Sequence, residues 1–204
     1  MHLRALLLTF ATVSLATAVY AQDVNAAPSM DVFQVRYASN LNKGDAYVNI
    51  TNTGSDAPFD NICVNVYTFD PSEEMVSCCS CLVTPNALVS LSVQGDLISN
   101  TLSPSTPTAV VIKLTATRPP DEITCNPGSF QDLVPGLRAW GTTLHALPGT
   151  PTTYAVTESA FLPGGLSQPE YFHLGSFCGF IQSNGSGFGI CKSCRAGGLG
   201  GAKQ

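Results

Sequence analysis

The chain has 204 residues, of which 44% are apolar and only 11% charged, with 8 cysteines, 14 prolines and 18 glycines. That apolar share excludes a disordered chain, and the Gly/Pro-rich, charge-poor composition excludes a coiled coil. A net charge of −5 excludes nonspecific nucleic-acid binding, which needs clustered Lys and Arg.

Residues 1–21 read as a secretory signal peptide. Arg4 supplies the positive start, Leu6–Leu15 the short apolar run, and Val19 and Ala21 the small residues before a cleavage site. The run is broken by Thr9, Thr12 and Ser14, so it does not read as a bilayer span, and no later segment is long and apolar enough to be one. All eight cysteines follow this leader, and an exported chain meets an oxidising compartment where disulfides are the expectation.

Residues 22–30 read as a flexible lead-in, and 31–194 as one disulfide-stapled domain. Strands are predicted over Asp31–Tyr37, Ala46–Asn52, Ile62–Phe69, Leu88–Val93, Thr108–Thr117, Leu137–Ala146 and Thr152–Phe161. Within them, pairs such as Val48 and Ile50 alternate with Asn49 and Thr51, which implies one buried and one wet face. Turn signals such as Asn42-Lys43-Gly44-Asp45 and Pro148-Gly149 separate the runs. The expected fold is mostly β, a single antiparallel, immunoglobulin-like β-sandwich. Asp70-Pro71-Ser72-Glu73 has the cap, proline and acid of a helix start, so a short helix is expected near 71–78. A second helix is expected near 168–183, where Tyr171, Leu174, Cys178 and Ile181 form one stripe and Asn184-Gly185 stops it. The glycine-rich segment 195–204 reads as a mobile tail.

The disulfide candidates are Cys63, Cys78, Cys79, Cys81, Cys125, Cys178, Cys191 and Cys194. A Cys78–Cys79 bridge is disfavoured by disulfide geometry. The simplest expectation ties the Cys78-Cys79-Ser80-Cys81 bend to the C-terminal segment and to Cys63 or Cys125; eight cysteines allow about 105 connectivities. The alternative is a metal site from the CxxC pairs Cys78/Cys81 and Cys191/Cys194, with a redox role for the latter weaker still. Export favours disulfides, because oxidised thiols do not ligate metal.

The chain carries no familiar catalytic signature, and no cofactor motif. Ser186 is glycine-flanked but has no strand leading into it, His145 reads as half-buried packing, and His173 as a surface residue. Asn49-Ile50-Thr51 and Asn184-Gly185-Ser186 match the glycosylation acceptor pattern. After Glu170 no acid remains while Lys192, Arg195 and Lys203 are basic, which reads as a solvated tail or as a segment that docks on an acidic surface.

The strings EEMVSCCSCLVTPN and CGFIQSNGSGFGICKSC resemble an uncharacterised family of secreted bacterial cysteine-rich proteins that share a CCxC turn and this C-terminal signature. The resemblance covers most of the chain after the leader. It implies export and a cysteine framework, and it implies no catalytic residue. The expected function is a secreted, extracellular or periplasmic, non-enzymatic structural, binding or adhesion module of the cell envelope or extracellular space that binds a protein partner or itself. Self-assembly would run through strand addition by Asp31–Tyr37. The alternatives are a metal-binding or redox protein, and a secreted hydrolase built around Ser186 and His145.

Overall fold

The structure is a computed structural model that describes residues 31–54 and 61–194. The leader (1–21), the lead-in (22–30) and the tail (195–204) lie outside the described residues. Among the described residues nine strands run in chain order: β1 (Phe33–Ala38), β2 (Ala46–Asn52), β3 (Ile62–Phe69), β4 (Met75–Val83), β5 (Leu88–Ser92), β6 (Val110–Thr117), β7 (Leu137–Leu147), β8 (Thr150–Ala160) and β9 (Leu162–Pro163). A π-helical turn, Val93–Leu97, follows β5. One helix, α1 (Gln168–Ser183), and a 3-10 turn, Lys192–Cys194, close the described chain.

The strands form two antiparallel sheets, ordered β4-β3-β6-β1-β9 and β5-β2-β7-β8. Neighbours β2 and β5 in one sheet and β3 and β6 in the other reproduce the central arrangement of an immunoglobulin-like sandwich. The flanks differ: β1 lies beside β6, and β7 lies beside β2.

Between the sheets, Val48 and Ile50 of β2, Val89 and Leu91 of β5, and Leu137 of β7 face Val64 and Val66 of β3 and Ile112 and Leu114 of β6. Each such side chain contributes about 1.5–3 kcal/mol by leaving water. On β2 the alternation holds as expected. On β3 it does not: seven consecutive residues from Ile62 to Thr68 are buried, because the outer face of this sheet is covered rather than wet. Helix α1 and the segment around Cys125–Phe130 form the cover. Its cluster joins Val32, Phe33, Tyr67, Met75 and Cys78 to Leu174, Cys178 and Ile181. Beneath it the Tyr67 hydroxyl donates to the Pro127 carbonyl at 2.9 Å, and burial pushes the phenol well above its ordinary pKa.

The expected helix near 71–78 is absent; the segment is a hairpin turn followed by strand β4. The Asp70 carboxylate caps a turn, accepting from the amides of Ser72 (2.9 Å) and Glu74 (3.1 Å), but Glu73 then adopts a left-handed conformation (φ 67°) that ends any helix. Pairing of Met75–Val83 with β3 supplies the strand ladder instead. The C-terminal helix forms as the stripe predicts, with Ser167 as its cap accepting from the Glu170 amide at 3.3 Å, and Leu174, Cys178 and Ile181 buried.

Candidate functional site

Strand β4 carries the cysteine bend, and the alternation of a strand sorts its sulfur atoms. Cys79 and Cys81, two apart, point into the core between the sheets, while Cys78 points to the outer face. The pairing follows: Cys78 bonds Cys178 on α1, Cys79 bonds Cys191, and Cys81 bonds Cys194. Cys63 bonds Cys125. The expectation that the bend reaches Cys63 or Cys125 as well is therefore corrected: all three of its bonds go to the C-terminal segment. The C-terminal chain thus grips β4 from both faces.

Between the two grips the chain runs along the free edge of β4. Phe188 N–H donates to Cys78 C=O (2.9 Å), Ser80 N–H to Gly189 C=O (3.1 Å), and Cys191 N–H to Ser80 C=O (3.1 Å). Gly187 makes this approach possible. Its φ is 67°, and a Cβ there would sit 2.9 Å from the Cys78 carbonyl oxygen. Ser186 is buried and its hydroxyl donates to the carbonyls of Val76 (3.3 Å) and Asn100 (2.9 Å), an anchoring role. His145 lies half-buried on β7, in the other sheet, and His173 lies exposed on α1. No hydrogen bond among the described residues joins Ser186 to either.

The docking of the basic C-terminal segment also has an acidic partner that the sequence did not single out. Asp96, buried in the π-helical turn, accepts from Ser193 N–H (2.7 Å), Ser193 Oγ (2.8 Å) and Ser92 N–H (2.9 Å). Lys192 donates to Ser99 Oγ at 2.8 Å and lies 4.7 Å from the Phe188 ring.

The four alternative metal ligands do not converge. Cys78 lies on the opposite face of β4 from Cys81 and is bonded to Cys178. The sulfur atoms of Cys81, Cys191 and Cys194 do lie within 4.8 Å of one another, but each belongs to a disulfide, which removes the thiolates a metal needs. Of the glycosylation patterns, Asn49 is half-buried, with its amide bonded to Thr142 and Ser90, and Asn184 is the exposed C-cap of α1.

Two surface features remain open. The first is a groove between α1 and the β3–β4 hairpin. It comprises a cavity of about 550 Å³ lined by Met75, Leu102, Pro104 and Phe180, and a second of about 400 Å³ lined by Val111 and His173; Phe69, Glu73 and Phe177 line both. Lys113 sits in the second cavity, 4.6 Å from the Phe69 ring and 2.5 Å from a Glu170 oxygen.

The second feature is the edge strand β8. Among the described residues it pairs only with β7. Residues 155–160 are all exposed, so both faces of the strand are wet, and Val156 is 62% exposed. The other edges are guarded. Strand β4 is covered by Gly187–Cys191, β9 is two residues long and ends in Pro163, and β5 is five residues long and runs straight into the π-helical turn. Strand β1, expected to be a free donor, is paired on both sides, with β6 along its length and with β9 at Gln34 and Val35.

No protein-family model and no curated protein matches the sequence. Among solved structures the chain is similar to the crystal structure of Thermotoga maritima 1070, with a TM-score of 0.42 and 12% identity, covering 66% of this chain and 97% of that one. A likeness at that level carries no functional argument.

Proposed function

We propose that this protein is an exported, non-enzymatic structural module that associates with further copies of itself by strand addition at β8. Four disulfides fit an oxidising compartment, and among the described residues β8 is the one long sheet edge left without cover. The open, overhanging β8 edge is the observation that carries the reading. A strand with both faces in water gains little from the core, and pairing on its second side would satisfy its outward N–H and C=O groups.

The occupant that fits is the same strand of a second copy, antiparallel across a two-fold axis. That contact is self-complementary and extends the four-stranded sheet to eight strands. Between Thr153 and Ala160 the only charge is Glu158, so two copies meet without a row of like charges. Pro151 lacks an N–H and leaves the pairing to the later residues.

Sedimentation velocity across a wide concentration range tests this. The expected result is a reversible dimer in the intact protein. Val156→Lys, which puts a cation on an exposed edge position, weakens the dimer by at least about tenfold without changing the melting temperature of the monomer. A strict monomer at near-millimolar concentration, or a dimer indifferent to Val156→Lys, defeats the proposal.

A further inference from the structure

The geometry points to the groove between α1 and the β3–β4 hairpin as a binding site for an amphiphilic organic cation: an aliphatic body ending in a substituted ammonium group. This site is separate from the β8 edge and does not depend on it.

The lining supplies both halves of that chemistry. Met75, Leu102 and Pro104 give the cavity aliphatic surface, and Phe177 and Phe180, 51% and 58% exposed, add two aromatic rings. A cavity of about 550 Å³ is in the size range of small-molecule sites. At its mouth Glu73 and Glu74 are exposed, and among the described residues neither carboxylate makes a hydrogen bond or ion pair. Asp70 adds a third negative charge beside the second cavity. The one cation lining the groove, Lys113, is already paired with Glu170.

Lys113 places one ammonium group of the chain itself in the second cavity. Its Nζ lies 4.6 Å from the Phe69 ring and 2.5 Å from the Glu170 carboxylate, an aromatic face and an anion acting on one cation. The first cavity offers the same residue types, the rings of Phe177 and Phe180 and the carboxylates of Glu73 and Glu74, with no Lys or Arg among its lining residues. The hairpin that presents Glu73 is fixed, since the Asp70 carboxylate holds two of its amides. Glu73 stands there in a left-handed conformation that glycine or asparagine would adopt more easily. An anionic amphiphile would meet three carboxylates, and a neutral one would leave them unused.

Isothermal titration calorimetry of the disulfide-intact chain tests the assignment with three probes that share one tail: decyltrimethylammonium, decyl maltoside and decyl sulfate, each below its micelle concentration. The expected result is one-to-one binding of the ammonium, roughly tenfold tighter than of the maltoside, with no binding of the sulfate. Glu73→Gln/Glu74→Gln removes the preference but leaves the maltoside affinity unchanged. Phe177→Ala, an exposed position, weakens all binding. No binding of the ammonium, equal binding of the neutral or anionic probe, or a preference that survives the double glutamine variant overturns the site.

Discussion

At the scale of single residues, two positions show how strand β4 is held in place. Gly187 combines a left-handed backbone with contact against the β4 edge. Gly187→Ala is therefore expected to cost about 2 kcal/mol or more, read as a lower urea midpoint at unchanged slope. Asn65 is the second. Its amide donates to Thr115 Oγ1 (3.3 Å) and Thr117 Oγ1 (3.1 Å), and its oxygen accepts from Ser80 Oγ (2.8 Å), all under cover. Asn65→Ala removes three buried side-chain hydrogen bonds at once and is expected to destabilise by about 2–3 kcal/mol in the same measurement. Gly141, in the middle of β7, follows a related logic: a Cβ there would fall 1.5 Å from Arg36 Nη1, so the missing side chain is what lets that guanidinium cross between the sheets to Thr143.

At the scale of elements, the Cys78–Cys178 bond holds α1 against β4 and so builds one wall of the groove. Removing it as Cys78→Ser/Cys178→Ser is expected to cost about 2–5 kcal/mol in chemical unfolding. Amide exchange in α1 should rise well before that of β2 and β3. The sequence revealed the elements whose signals are local. The bounds of β2 and β3 match those read from the sequence, although only β2 keeps alternating burial, and α1 follows from the stripe Leu174, Cys178, Ile181 with Ser167 ahead of it. Strand β4 was not legible, because Asp70-Pro71-Ser72-Glu73 serves a tight turn as well as a helix start, and a long-range pairing with β3 decided between them. The cysteine partners were hidden for a similar reason: the face each sulfur takes depends on β4 being a strand. Asp96 offered no signal, since nothing in its neighbourhood marks it as the anchor of Ser193, 97 positions away. The openness of β8 depends on which strand lies outermost, which no local pattern records.

At the scale of the molecule, three disulfides close loops of 100, 112 and 113 residues onto one strand. Such non-local closures come late in folding. The same bridges flank the segment Gly187–Cys191 that covers the β4 edge. With the β4 edge covered in this way, β8 is the long unguarded edge of the sandwich among the described residues. Hydrogen-exchange mass spectrometry of the disulfide-intact protein, compared between low-micromolar and near-millimolar concentration, tests that claim most directly. The account predicts concentration-dependent protection confined to residues 153–160. Unchanged exchange there, or protection gained at β4 or β5 instead, would contradict it.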